Sequence, residues 1–122
     1  MILGIGGLRA LRAVGIEPAL FHLNEGHCSF VLAERLREEW AAGASAALEA
    51  VRSSAVFTTH TPVPAGHDRF SEELVRRSFA GWDEDDGPSV SQLLELGSEP
   101  GAPEGELCMT ALALRGCRAT NG

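Results

Sequence analysis

The chain has 122 residues and is 44% hydrophobic, which suffices for one domain with a buried core and argues against disorder. Its 17 acidic and 10 basic residues give a net charge of −7, which excludes nucleic acid and anionic membrane surfaces as the expected partners. All ten bases are arginine, because the sequence contains no lysine.

The cysteines and the N-terminus give information on location. Cys28, Cys108 and Cys117 are odd in number and lack paired spacing, so neither a disulfide framework nor a CxxC zinc site is predicted. No apolar run approaches the roughly 20 residues that span a bilayer, and the N-terminus does not resemble an export signal. These observations predict a cytoplasmic protein without a membrane anchor.

The first predicted elements are a helix and a strand. Leu8, Leu11 and Ala13 recur at apolar spacing and predict a helix near the N-terminus. The apolar run 17–23 then predicts a buried strand, in which His22 is expected to be a core histidine.

Two helices and a second strand follow. Apolar residues recur every three or four positions over 27–40, which predicts an amphipathic helix with Asn24 near its N-cap and Trp40 on the apolar stripe. A second helix is predicted over 45–52, and the β-branched and aromatic run 54–59 predicts a second buried strand. This order predicts a right-handed βαβ unit with parallel strands, and therefore an α/β fold.

The second half of the chain has weaker signals. Ser71 is predicted to cap a short helix that ends at Phe79, because acidic residues fill its first turn and basic residues its last. The later predicted segments are an exposed loop over 81–89, one or two helical turns over 90–96, a flexible Gly- and Pro-rich linker over 97–106, and a helix from 107 up to 121.

Two polar clusters stand where the predicted strands end. One is Asn24-Glu25-Gly26-His27 and the other is His60-Thr61. The carboxyl ends of parallel strands share one edge of a sheet, so the clusters should lie near one another. Asn, Glu and His are side chains that hydrogen-bond sugar hydroxyls. The other interpretation, which the pattern leaves equally open, is that the first cluster caps a helix and His60 satisfies a buried backbone group.

Other chemistry-bearing residues favour plain structural interpretations. The histidine spacing matches no metal-binding motif, so a metal site is disfavoured. His67 and Asp68 are expected to hydrogen-bond each other in a loop, and Cys28 lacks the context of a thiol nucleophile. The acidic run 83–86 is expected at the solvated surface, and Trp82 beside it yields no assignment.

Three stretches, in this order, resemble the α-glucan (glycogen or maltodextrin) phosphorylases, particularly their shorter bacterial branch. They are "HLNEGHCSFVLAERLRE", "VFTTHTPVPAGHDRF" and "ALALRGCRATNG". The resemblance covers 1–80 and 107–122 and leaves 81–106 as a variable linker. It implies that 1–122 is part of the N-terminal, Rossmann-like domain of a two-domain glycosyltransferase of GT-B architecture, with the active site between the domains.

The resemblance also implies an activity. It is phosphorolysis of an α-1,4-glucan by inorganic phosphate to glucose 1-phosphate, with the phosphate group of pyridoxal phosphate as the proton relay. The chain lacks the family's Gly-rich phosphate loop and its C-terminal domain, and without lysine it cannot attach pyridoxal phosphate covalently. The isolated chain is therefore expected to be inactive and to need that domain as its partner. The resemblance leaves the oligomeric state open.

Two other functions remain as alternatives. A non-catalytic sugar-binding or structural remnant is suggested by the missing lysine. A glycosyltransferase that uses sugar nucleotides would have the same βαβ pattern, although the motifs do not support it.

Site residues are carried over from the family motifs. The resemblance implies that His60 is catalytic and contacts the glucosyl unit, that Glu25 supports it beside the sugar channel, and that Asn121 contacts a glucose hydroxyl. The loop over 60–70 is expected to be a mobile gate whose prolines limit its conformations. The full implied set of substrate-binding residues is His60, Asn121, Glu25, Asn24 and Thr61, with no cofactor-binding and no metal-binding residue.

Overall fold

A computed structural model describes residues 1–60, 63 and 66–122 of the chain. Its central feature is a three-stranded parallel sheet in the order β1-β2-β5, beside an antiparallel pair of short strands, β3 and β4. The strands are β1 (Phe21–Asn24), β2 (Ala55–Thr58), β3 (Arg69–Phe70), β4 (Leu107–Cys108) and β5 (Ala119–Asn121). The predicted α/β class and the parallel βαβ unit are confirmed, and the sheet fits a Rossmann-like part of a larger domain.

Helices join and cover the strands. They are α1 (Gly7–Ala13), α2 (Phe30–Glu39), α3 (Ala44–Ser53), α4 (Glu72–Ser78), α5 (Val90–Leu96) and α6 (Met109–Gly116). The predicted cap of α4 is present, since the Ser71 hydroxyl accepts the Leu74 N–H at 3.4 Å. A second cap at α5 is reciprocal, because Ser89 and Gln92 each accept the other's backbone N–H.

The predicted helix over 27–40 begins later than expected. Asn24 does not cap it, because β1 extends through Asn24 and a 3₁₀ turn over Gly26–Cys28 intervenes. The N-cap residue of α2 is Ser29, whose buried hydroxyl donates instead to the Met109 carbonyl at 2.7 Å. The start of α2 is thereby tied to the start of α6.

The predicted helix up to residue 121 is wrong, because α6 ends at Gly116. Cys117 is extended, and the next residue, Arg118, donates its backbone N–H to the Ala55 carbonyl at 3.0 Å. The chain then continues as β5 beside β2, with Asn121 opposite Thr58. Backbone pairing with a strand that is already formed thus replaces a last helical turn.

The two faces of the sheet differ. Leu23, Ala55 and Phe57 are buried and share one core with residues of α2, α3 and α6. His22 lies on the opposite face and is exposed, so its assignment to the core is wrong. The reason is strand alternation, which places neighbouring side chains on opposite faces.

The segment after α4 contributes to the core. Trp82 is buried, its ring packs edge-on against Phe79 at 5.1 Å between centroids, and its Nε1–H donates to the Pro88 carbonyl at 2.7 Å.

The acidic run 83–86 is exposed, as predicted. Trp40 is partly buried against the core, also as predicted. Over the described ranges, no helix is long and apolar enough to cross a membrane.

A buried carboxylate on α2 went unnoticed in the sequence. Glu34 is only 1% exposed, and both of its oxygens accept hydrogen bonds from Arg9 of α1 and from Arg37, at 2.6–3.3 Å. Burial alone would raise the pKa of Glu34, but the two guanidinium groups outweigh it and hold this pKa below its ordinary value. Glu34 therefore fastens α1 to α2 as a charged group.

Candidate functional site

The two polar clusters lie together at the carboxyl edge of the sheet, as predicted. The Glu25 backbone N–H donates to the Thr58 carbonyl at 2.8 Å, which extends the β1–β2 ladder one residue beyond β1. On the other side of β2, the Thr59 N–H donates to the Asn121 carbonyl at 3.0 Å. Three strand ends thus bring Glu25, His60 and Asn121 to one edge.

Glu25 has an unusual backbone. Its φ of 65° and ψ of 162° lie in a region that residues other than glycine rarely adopt, at a cost of about 1–3 kcal/mol. This conformation directs the carboxylate across to the end of β2. There Oε1 accepts the His60 backbone N–H at 2.5 Å, and Oε2 accepts the Thr59 hydroxyl at 3.2 Å. The carboxylate therefore fixes the backbone that carries the His60 ring.

His60 itself is exposed, so its ring is accessible to a ligand at this edge. Asn24 and His27 are also exposed there, and the Asn24 carbonyl accepts the Cys28 thiol at 3.4 Å. Thr61 lies outside the described residues, as do Pro62, Pro64 and Ala65 of the expected gate.

Asn121 is held from the neighbouring strand. The Thr58 hydroxyl donates to Asn121 Oδ1 at 2.6 Å, and His22 Nε2 lies 2.8 Å from the same hydroxyl. Gly122 has a φ of +149°, and a Cβ at this position would overlap the Thr59 carbonyl. Only glycine therefore fits after Asn121 in this conformation.

The far end of the 60–70 loop is anchored to α6. His67 Nδ1 hydrogen-bonds the Thr110 hydroxyl at 2.9 Å, and the Asp68 carbonyl accepts the Met109 N–H at 3.0 Å. The expected side-chain pair between His67 and Asp68 is thus replaced by contacts of both residues with α6. The reason is that β3 pairs with β4, which brings this end of the loop to the first turn of α6.

The chemical character of the edge follows from its side chains. Hydroxyl, amide, carboxylate and imidazole groups lie there, and they suit a neutral ligand rich in hydroxyl groups. The residues that form it, 24–28, 58–60, 67 and 121, include neither lysine nor arginine. Within the described part of the chain, no group of three or more His, Cys, Asp or Glu side chains could hold a metal ion.

Sequence reasoning missed Thr58 of this edge and His22, which contacts the Thr58 hydroxyl from β1. Strand alternation could have placed both of them, because they are one residue before Leu23 and one residue after Phe57, which are the buried positions. The third strand could not be foreseen, since all three of its residues are exposed and none shows an apolar alternation.

Three relatives that match nearly the whole chain are named as phosphorylases. A maltodextrin phosphorylase from Thermococcus litoralis is 43% identical over 117 residues, which are 94% of this chain and 13% of that protein. A glycogen phosphorylase from Mycobacterium tuberculosis is 40% identical over an alignment of 137 positions, which covers 100% of this chain and 16% of that protein. A glycogen phosphorylase from Aquifex aeolicus is 30% identical over 123 positions, 99% of this chain and 18% of that protein.

No model of a known protein family matches the chain. The similarity to individual proteins nevertheless runs along almost the whole chain, which spans only 13–18% of the length of these three relatives. The shared origin explains why the three motifs occur in one order on one chain. The chain therefore belongs to the glycogen and maltodextrin phosphorylases, as the equivalent of one segment of those longer proteins.

Proposed function

We propose that this chain forms the glucosyl-contacting edge of an α-glucan phosphorylase, which cleaves an α-1,4-glucan with inorganic phosphate to release glucose 1-phosphate. The observation that carries the proposal is the convergence of His60, Glu25 and Asn121 at one edge of the sheet. This edge lies in a chain that is similar to phosphorylases along 94–100% of its length.

Each residue has a separate role in this proposal. The exposed His60 ring contacts the glucosyl unit at the reacting end of the glucan, and Glu25 positions it by holding its backbone N–H. Asn121 hydrogen-bonds a glucose hydroxyl with its amide. Asn24 and Thr61 complete the set of sugar contacts. Hydroxyl groups both donate and accept, so a sugar matches this mixture of amide, imidazole and carboxylate groups.

Pyridoxal phosphate, which the family implies, does not fit this chain. Covalent attachment of its aldehyde needs a lysine, and the sequence has none. The edge residues 24–28, 58–60, 67 and 121 also lack a lysine or arginine that would bind its phosphate group or inorganic phosphate. The cofactor and both phosphates are therefore assigned to a part of the enzyme outside this segment.

The proposal extends to the chain's place in the protein. Residues 1–122 form part of the N-terminal domain of a two-domain GT-B enzyme, with a variable linker over 81–106. The partner is the C-terminal domain, which supplies the lysine, and the isolated chain is inactive. The chain acts in the cytoplasm on glucan and phosphate, and neither nucleic acid nor a membrane surface is a partner at a net charge of −7.

The test uses the complete gene product that contains this sequence. It is incubated with maltodextrin and phosphate, and glucose 1-phosphate is measured for the wild type, His60→Ala and Asn121→Ala. Both variants should lose turnover and keep the thermal unfolding midpoint of the wild type. Thr120→Val is the control, because it removes an exposed hydroxyl beside Asn121 on the opposite face of β5. Turnover with only nucleotide-sugar donors would overturn the proposal.

A second candidate, a non-catalytic sugar-binding module, is favoured by one observation, the absence of lysine. Under this hypothesis the complete gene product binds maltodextrin without phosphorolysis. Calorimetric binding of maltodextrin in phosphate buffer, with no glucose 1-phosphate formed, would support it over the enzyme.

A further inference from the structure

A chain of hydrogen bonds crosses the three strands of the sheet on its exposed face. Asn121 of β5 lies directly opposite Thr58 of β2, and His22 of β1 lies on the same face, two residues before Asn24, the β1 residue opposite Thr58. The His22 Nε2 to Thr58 Oγ1 distance is 2.8 Å, and the Thr58 Oγ1 to Asn121 Oδ1 distance is 2.6 Å. The exposed His22 ring is therefore connected to the Asn121 side chain through a single hydroxyl.

The direction of these hydrogen bonds follows from the number of protons that each group can donate. A threonine hydroxyl has one proton, and Thr58 donates it to Asn121 Oδ1. Its other contact can therefore only be an acceptor contact, so His22 Nε2 must carry a proton and donate it. The Asn121 oxygen is occupied by Thr58, and the amide nitrogen presents its two N–H groups on an exposed side chain.

If the hydrogen bonds ran in the opposite direction, the Asn121 amide would turn its other side to a ligand. If His22 carried its proton on Nδ1, its Nε2 would be an acceptor, and the Thr58 hydroxyl would donate to it. Thr58 would then accept from the Asn121 amide, which would have to rotate by half a turn. Asn121 would then turn its oxygen toward a ligand, while one of its two N–H groups would be taken up by Thr58.

We propose that His22 is a positioning residue that acts through Thr58 and fixes the Asn121 amide with its N–H groups toward the ligand. The inference rests on the proposed function of this edge, and the recognised group is an acceptor oxygen of a sugar hydroxyl. His22 does not touch the sugar. His22 thereby determines whether the Asn121 amide directs its N–H groups or its oxygen toward the ligand.

The first test measures the tautomer and needs no enzymatic activity. The complete gene product is prepared with ¹³C- and ¹⁵N-labelled histidine, and the His22 resonances are assigned by comparison with His22→Gln. The chemical shifts should report a proton on Nε2 in the absence of ligand. A neutral His22 with its proton on Nδ1 would overturn the proposal, whatever reaction the protein catalyses.

The second test uses two variants of equal size, one that keeps the direction of the hydrogen bonds and one that reverses it. In His22→Gln, the side-chain amide places an N–H donor where Nε2 lies, so the KM for maltodextrin should stay within about twofold of wild type. In His22→Glu, the carboxylate can only accept, so the Asn121 amide should turn and KM should rise about tenfold, which corresponds to about 1.4 kcal/mol. The value of kcat should change less than KM.

Two further variants keep this test decisive. His22→Met removes the donor without adding charge and, like His22→Glu, should raise the KM for maltodextrin. Thr120→Val should leave this KM unchanged. Thermal unfolding of each variant shows whether the fold is kept. Equal KM values for the Gln and Glu variants would overturn the proposal. If the wild type releases no glucose 1-phosphate, the proposed function fails, and the same variants are compared by calorimetric binding of maltodextrin.

Discussion

The backbone N–H of His60 donates to the Glu25 carboxylate at 2.5 Å, from the end of β2 to the residue just beyond β1. A charged acceptor thus holds the main chain that carries the ring, and the ring itself stays exposed. The side chain that positions the backbone is thus a different one from the ring that is accessible to a ligand. Glu25 can therefore be tested as a positioning residue without changing the His60 ring, which we propose to contact the sugar.

Glu25→Gln should lower kcat/KM for phosphorolysis by about 10- to 100-fold, because a hydrogen bond to a charged group contributes about 1.5–3 kcal/mol. An amide has one oxygen where the carboxylate has two, so it cannot accept from both His60 and Thr59 with its original geometry. Steady-state kinetics of the complete gene product measure the effect. Glu49→Gln is the control, since Glu49 is exposed on α3. Equal effects of the two changes would refute the positioning role.

Gly122→Ala should destabilise the protein by about 1–3 kcal/mol, because the added Cβ would overlap the Thr59 carbonyl at a φ unfavourable for alanine. Relief of the overlap would displace the end of β5, so kcat/KM should fall as well. Denaturant unfolding and kinetics are measured together. Gly6→Ala adds the same methyl group where nothing beyond its chain neighbours and its own helical backbone lies within 4 Å, and it should have little effect on either quantity. An unchanged Gly122→Ala variant would contradict the close approach of the two backbones.

Glu34→Gln should lower the free energy of unfolding at pH 7 by about 1–3 kcal/mol, because a buried carboxylate loses its charge between two guanidinium groups. The pKa of Glu34 is lowered in the folded protein from its ordinary value of 4.5. Its stabilising contribution is therefore complete above 4.5 and is lost as the pH falls through the lowered pKa of the folded state.

The difference in unfolding midpoint between wild type and Glu34→Gln should accordingly narrow in acid. Urea titrations at pH 7 and at about pH 3 measure it. Glu73→Gln serves as the control, because Glu73 is exposed on α4. A difference that is constant over this range would show that the charge of Glu34 contributes nothing.

The 122-residue chain alone should aggregate or remain partly molten. Parallel sheets are normally covered on both faces, whereas here β5 is exposed throughout and the face of His22 and Asn24 is open. Ile2 and Leu3 add apolar side chains that are 91% and 61% exposed. Calorimetry should show no cooperative transition for the isolated chain and a cooperative one for the complete gene product. A single sharp transition of a monomeric isolated chain would contradict this prediction.

Local patterns were sufficient for much of the fold. The β-branched residues of β2, the caps and charges of α4 and the Pro- and Gly-marked breaks all indicate what the structure has, because each is decided within a few residues. β5 was missed because its pairing with β2 is a long-range interaction that three exposed residues cannot signal.

At the site, the shared edge followed from strand topology, which needs only the order of the elements. The connections of His22 to Asn121 and of Glu25 to His60 depend on register and on one rare backbone conformation, which no local pattern encodes. The role of Glu34 was hidden for another reason. Arg35 and Arg37 next to it on α2 are only half-buried, and its contact with Arg9 comes from α1, 25 residues earlier in the chain.

The phosphate dependence of product release tests most directly whether this edge belongs to a phosphorylase. The complete gene product is incubated with maltodextrin, with and without inorganic phosphate, beside its His60→Ala variant. We expect glucose 1-phosphate only from the wild type with phosphate, while His60→Ala keeps its fold and loses turnover. Full turnover of a folded His60→Ala variant, or no glucose 1-phosphate from the wild type, would contradict it.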